Sequence, residues 1–187
     1  MKGKTAVLFL AAALVVAAAV GVGYRSPRIG GAFELVDQTG AAFTEADLRG
    51  GWSLLYFGYT YCPDICPTSL SAMAGAVDDL AAQGLSVRPI FITIDPERDD
   101  VAALSDYAPF FHEDLRALTG TDAQVAEAAR AWRVYYRRVD PEGGGPYLMD
   151  HGANIYLVNP DGGYAAHFAH DATADALAAG VARQVGL

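Results

Sequence analysis

The sequence predicts an α/β domain behind a single N-terminal transmembrane helix, and three segments carry that prediction. Ala6 to Gly23 contains no charged residue. Trp52-Ser53-Leu54-Leu55-Tyr56-Phe57 is a continuous apolar run, as expected for a strand buried on both faces. The stretch from Pro67 to Gln83 then places Leu70, Met73, Ala74, Val77, Leu80 and Ala81 at helical spacing, and the β-branched segment Val87–Ile94 follows it. Strand, helix and strand in that order read as a parallel crossover unit.

The elements follow in chain order. A helix over Ala6–Gly23 rises roughly 27 Å, close to the thickness of a bilayer's hydrocarbon core. Lys2 and Lys4 precede it and favour a cytoplasmic N-terminus, although Arg25 and Arg28 beyond the run weaken the bias. In a bacterial cell this gives a single pass through the inner membrane with the domain facing the periplasm. A cleaved signal peptide ending near Ala17-Ala18-Ala19 is the competing reading, and it too exports the domain. Residues 1–24 are therefore assigned to the anchor, 25–31 to a linker and 32–187 to the folded domain.

Phe33–Val36 and Ala41–Phe43 flank Asp37-Gln38-Thr39-Gly40, a turn sequence that predicts a small hairpin extension ahead of the buried strand. The helix after that strand is predicted to start at Pro67, where a missing N–H costs nothing, and to stop at Gly84. Asp99 and Asp100 open a helical stretch reaching about Phe111, and Leu115–Leu118 is a short strand. Thr121-Asp122-Ala123-Gln124 fits a capping box for a helix ending near Trp132. Arg133–Val139, Asn154–Val158 and Tyr164–Phe168 read as strands, the last two joined through an Asn159-Pro160-Asp161-Gly162 turn, and a final helix spans about Thr173–Val185. That order is thioredoxin-like. Reactive groups in such folds gather at the carboxyl ends of the parallel strands.

The chain carries a net charge of −9, and everything after Gly23 carries 11 arginines against 22 acids. A domain this acidic does not hold nucleic acid through its phosphates. The only two cysteines lie four positions apart. A disulfide so close closes a tiny loop and staples almost nothing, so the pair is there for chemistry.

Cys62-Pro63-Asp64-Ile65-Cys66-Pro67 falls between the first buried strand and its helix. Pro67 disfavours helical geometry at Cys66, which predicts Cys66 as the cap and Cys62 in the preceding loop. Both sulfurs then lie near a helix N-terminus, whose partial positive charge favours thiolates. Such a pair suits a soft ion such as Cu(I), and equally suits disulfide exchange. A redox thioredoxin spaces its cysteines by two residues, whereas three intervene here. Structural zinc would require four nitrogen or sulfur ligands, and no second cysteine pair exists. A thiol peroxidase would add a threonine and an arginine, for which Thr60 and Arg49 are the candidates. Among the histidines, His151 follows the glycine-rich loop Pro141–Pro146, an arm able to swing a ligand toward a metal. His112 sits at a helix end, and His167 with His170 forms an H-x-x-H that would make a second metal site.

At these residues the sequence resembles the SCO/SenC family of copper-binding proteins that serve cytochrome c oxidase assembly. The resemblance runs from about Gly31 to Phe168. It rests on Gly31-Ala32-Phe33-Glu34-Leu35, Tyr56-Phe57-Gly58-Tyr59-Thr60, Cys62–Pro67, Thr93-Ile94-Asp95-Pro96-Glu97-Arg98-Asp99, Leu118-Thr119-Gly120 and Asp150-His151. It implies that Cys62, Cys66 and His151 are copper ligands for Cu(I) and Cu(II), with Asp95 and Asp150 as outer-sphere groups. Asp64 is adjacent to a ligand, and Tyr59 and Tyr61 are candidates to shield the site. The partners it implies are an upstream copper donor and the copper-bearing subunit of cytochrome c oxidase. It points to a carrier rather than an enzyme, with thiol–disulfide reduction of the oxidase cysteines and copper or redox sensing as competing roles. Gly152 departs from the small hydroxyl residue common after the histidine, without threatening ligation.

Overall fold

The computed structural model describes residues 28–187, so the apolar segment expected to span a membrane lies outside the described residues. Among the described residues no helix is long and apolar enough to cross one. The predicted hairpin is present as β1 (Glu34–Asp37) paired antiparallel with β2 (Ala42–Thr44). Asp37 ties its turn: the carboxylate accepts from Thr39 N and Oγ1 at 2.8 and 2.6 Å and from Ala41 N at 3.1 Å. Thr44 then caps a 3-10 turn, Glu45–Leu48, through a reciprocal bond with Asp47.

β3 (Trp52–Gly58) is covered on both faces, its Leu54, Leu55, Tyr56 and Phe57 all 0% exposed. It pairs in parallel with β4 (Val87–Thr93) across the helix α1 (Ile65–Ala82), and β4 pairs in parallel with β5 (Arg116–Thr119). Between β4 and β5 lies α2 (Val101–Tyr107), capped by Asp100. After β5 comes α3 (Asp122–Trp132), which carries the predicted capping box between Thr121 and Gln124. β8 (Ile155–Val158) and β9 (Tyr164–Phe168) extend the other side of β3 antiparallel, and α4 (Ala174–Val185) packs on α1. The sheet order is β2-β1-β5-β4-β3-β8-β9, so the hairpin is the sheet's edge rather than an appendage. This is the thioredoxin-like arrangement, with β3 central and the β3–α1 connection at its carboxyl end.

Two boundaries differ from expectation, and both matter for the site. The helix starts at Ile65 with Asp64 as its cap, so Cys66 and Pro67 are its second and third residues. Proline is tolerated there because the first-turn N–H groups have no intrahelical partner. The strand expected over Arg133–Val139 begins only at Tyr136, because Arg133 takes the left-handed conformation (φ 58°) that ends α3. It does not join the main sheet. β6 (Tyr136–Val139) instead pairs with β7 (Leu148–His151), a strand absent from the sequence reading, to form a separate two-stranded hairpin. Its tip is the glycine-rich loop, where Gly143, Gly144 and Gly145 all have positive φ.

Candidate metal centre

The two halves of the site come from elements of different character. β3 and α1 carry the cysteines. Cys66 is fully buried, and Cys62 is half-buried in the turn before the helix, its N–H donating to Tyr59 O at 3.2 Å. Because Cys66 lies in the first helical turn, its own N–H is free to donate outward, and it meets Cys62 Sγ at 3.3 Å. The helix end therefore acts directly on the Cys62 sulfur.

The cysteines share one proton unequally. The Cys66 thiol donates to Cys62, and the His151 side chain and backbone N–H groups add to this, which together hold Cys62 well below the ordinary thiol range despite burial. That donation, and then burial, push the Cys66 thiol far up. Beneath Cys66 lies Tyr56, kept protonated mainly by burial, with its hydroxyl 3.7 Å from Cys66 Sγ. Gly58 makes the room. A Cβ there would lie 2.8 Å from Cys66 Sγ and 3.0 Å from both Phe91 and Tyr56.

The other half is His151, at the end of β7. Its Nδ1 faces Gly152 O at 3.2 Å, and a carbonyl only accepts, so Nδ1 donates there and Nε2 is the ring nitrogen turned toward the sulfurs. That Nε2 lies 3.7 Å from Cys66 Sγ. The ring stands edge-on to Tyr56 and Tyr59, at centroid distances of 6.3 and 6.0 Å. That one Nε2–Sγ pair has the spacing, about 3.7 Å, that a trigonal metal with zinc-like bonds of about 2.3 Å to sulfur and about 2.0 Å to nitrogen requires. Among the described residues, however, no group of three such side chains is gathered closely enough to hold an ion as it stands. Two sulfurs and one imidazole also form the soft donor set that favours copper. Cys62 and His151 open onto a cleft of about 260 Å³ walled by Tyr59, Pro63, Ile65 and Met149, with Cys66 buried behind them.

The remaining candidates take other places. Asp95 is 4% exposed, but its side-chain partners are Arg98, at 2.5 Å, and the Tyr147 hydroxyl, at 2.8 Å, rather than either sulfur. Asp150 and Asp64 both line the cleft; Asp150 pairs with Arg137 across the hairpin at 3.2 Å. Tyr59 is buried against His151, while Tyr61 is 59% exposed beneath the Arg98 guanidinium. Thr60 binds the buried Asp99, and Arg49 lies beyond the opposite end of β3, so the peroxidase set is not brought together. His112 meets Asp78, and His167 meets the Tyr164 hydroxyl at 2.7 Å.

Sequence reasoning passed over Gly58, Tyr56, Arg98, Asp99 and Tyr147. Asp99 accepts from Thr60 and Thr93 side chains, and its carbonyl accepts from Thr119, which joins the cysteine loop to the ends of β4 and β5. Arg98 and Asp99 stood within the Thr93–Asp99 motif; Tyr147 gave no signal.

Comparison with known proteins places the chain in a family. The family model described as SCO1/SenC matches residues 23–186. The chain belongs to the SCO1/SenC family. Its human relative, the mitochondrial protein SCO2 homolog, is 44% identical over 157 residues, covering 83% of this chain and 59% of the human protein. This SCO1/SenC chain thus spans about three-fifths of that relative's length. Arabidopsis thaliana ScoI, solved with copper bound, superposes with a TM-score of 0.81 at 39% identity, covering 84% of this chain and 98% of that one. BsSco, described as a member of the Sco family of cytochrome c oxidase assembly proteins and solved in a study of a disulfide switch, gives a TM-score of 0.66 at 26% identity, covering 87% and 96%.

Proposed function

We propose that this chain carries copper and delivers it to the binuclear copper centre of cytochrome c oxidase during assembly. Cys62, Cys66 and His151 are the ligands on this reading. An upstream protein supplies the metal, and residues 1–24 hold the domain at the periplasmic face of a bacterial inner membrane. Cu(I) rests chiefly on the thiolates, and Cu(II) draws on the imidazole as well. The observation that carries the proposal is His151 Nε2 set 3.7 Å from Cys66 Sγ. A protein that only exchanged disulfides could use the same imidazole, but only to hold Cys62 as a thiolate.

Thiol–disulfide reduction of the oxidase's copper-site cysteines is the second reading. It is favoured by the half-buried Cys62 held as a thiolate beside a protonated Cys66. A copper or redox sensor would use the same three side chains with a different listener. Titration of the metal-free, reduced chain with Cu(I) under anaerobic conditions tests the carrier, followed by mixing with an isolated apo recipient domain. One tightly held Cu(I) that passes to the recipient is expected, and Cys62→Ser or Cys66→Ser should abolish tight binding. A chain that takes up no copper yet cycles between dithiol and disulfide would establish the reductase instead.

A further inference from the structure

His151 lies on a hairpin that shares no ladder with the main sheet, so its position over the cysteines needs another cause. The densest cation–aromatic cluster of the described residues supplies one. Tyr147, immediately before β7, has the Arg98 guanidinium 3.6 Å and the Arg138 guanidinium 3.7 Å from its ring centroid. Two cations that close must occupy opposite faces of the ring. Arg138 belongs to the hairpin itself, whereas Arg98 comes from the turn after β4. Arg98 also donates from Nη1 to the Tyr147 carbonyl at 3.0 Å and from Nε to Asp95 at 2.5 Å. The Tyr147 hydroxyl, pushed up to about 12 by burial and then by its acceptor Asp95, remains a donor and closes the ring of contacts at 2.8 Å. The same guanidinium lies 4.6 Å from the Tyr61 ring and 5.7 Å from the Tyr59 ring, both in the cysteine loop.

We propose that Arg98 and Tyr147 form a clasp that locks the His151 hairpin onto the cysteine loop, and that they are positioning residues for the bound metal. The proposal rests on the copper reading above for its metal half only. His151 is four residues beyond Tyr147 along one short strand, so freedom at Tyr147 becomes freedom at the imidazole. Opening the clasp releases the histidine while the thiolates, set in β3 and α1, keep their places. Cu(II), which needs the nitrogen, is then affected far more than Cu(I).

The test uses the full chain with Tyr147→Leu, Tyr147→Phe and Arg98→Lys. In the metal-free, reduced protein, amide hydrogen exchange across residues 147–152 should rise about tenfold or more in Tyr147→Leu, with β3 and α1 amides unchanged. Cu(II) affinity should fall about 10–100-fold, the usual effect of losing an outer partner, with an altered paramagnetic spectrum and Cu(I) affinity within about threefold of the parent. Tyr147→Phe keeps the ring between its two cations and should restore most of the protection. Arg98→Lys keeps the charge but not the planar fork, and should not. If Tyr147→Leu unfolds globally, β3 amides will exchange too, and the other two variants decide. Parent-like exchange in the arm together with a parent-like Cu(II) spectrum would overturn the clasp. A parent that binds neither Cu(I) nor Cu(II) would sink the copper reading instead, and the exchange data would still judge the clasp.

Discussion

Gly58→Ala adds a single methyl group at the most crowded point of the site. The backbone there is ordinary strand, so the glycine is required for space rather than for conformational freedom. The new Cβ would lie 2.8 Å from Cys66 Sγ, about 0.6 Å or more inside ordinary contact. The strand has little room to retreat, because Gly58 is in register with Thr93 and its carbonyl accepts from Ile94 N at 2.8 Å. Phe91 and Tyr56 close the flanks at 3.0 Å. The displacement therefore falls on Cys66 and the first turn of α1. Overpacking of this kind costs about 1–3 kcal/mol, which urea unfolding of the metal-free, reduced protein measures directly. Moving the sulfur also changes its 3.7 Å spacing to His151, so Cu(I) affinity measured by chelator competition should fall about tenfold or more. An alanine variant within about 0.5 kcal/mol of the parent, with parental Cu(I) affinity, would show that the pocket around Cys66 is neither tight nor tuned.

Three further outcomes are expected. His151→Ala should keep Cu(I) nearly as well as the parent while its Cu(II) absorption and paramagnetic signals weaken or change; unchanged spectra would remove His151 from the site and bring His167 or His170 forward. Alkylation of Cys62 in the metal-free protein should vary little from about pH 6 to 9, since the bond from Cys66 keeps it a thiolate, whereas a rise centred near about 8.5 would mean that neither Cys66 nor the helix end holds the charge. Burial opposes ionisation of Asp37, but bonds from Thr39, Arg116 and Ala41 outweigh it and lower its folded pKa, so its stabilisation is present above the unfolded value and lost as pH falls through the folded one. Asp37→Asn should thus cost about 1–3 kcal/mol near neutrality, and the gap to the parent should narrow below about pH 4; a pH-independent gap would show that charge is not involved.

The legible parts of the fold were those whose signal is local. The buried run of β3, the helical spacing of α1 and the Thr121–Gln124 capping box each depend on neighbours within one or two turns, and all three are present. The hairpin β6–β7 was half missed because Leu148-Met149-Asp150-His151 has neither alternation nor β-branched residues; it is a strand only because β6 lies beside it. The helix start was misplaced by two residues because proline marks a first turn without saying which position in it. Cysteine spacing and the glycine-rich arm pointed to two segments that the fold brings together. Asp95 and Arg98 stood in one motif, but their meeting with Tyr147 was invisible, since Asp95 and Tyr147 lie 52 residues apart and meet only through tertiary packing.

On the carrier reading, the asymmetry between the cysteines gives metal exchange a direction. Cys66 lies over Tyr56 and is fully buried, so its sulfur has no exposed face; Cys62 is half-buried at the mouth of the cleft. An incoming thiolate from a partner protein therefore meets the metal on the side of Cys62 and His151. Leaving by that side requires the imidazole to yield, and the imidazole belongs to a hairpin that shares no ladder with the main sheet. The soft, deeply set sulfur supplies holding power that does not depend on the hairpin, and the hairpin decides when the open side is available. Separating those two tasks lets a site bind tightly and still hand over its cargo, because the rate of transfer can change with the arm while the affinity of the thiolates stays fixed.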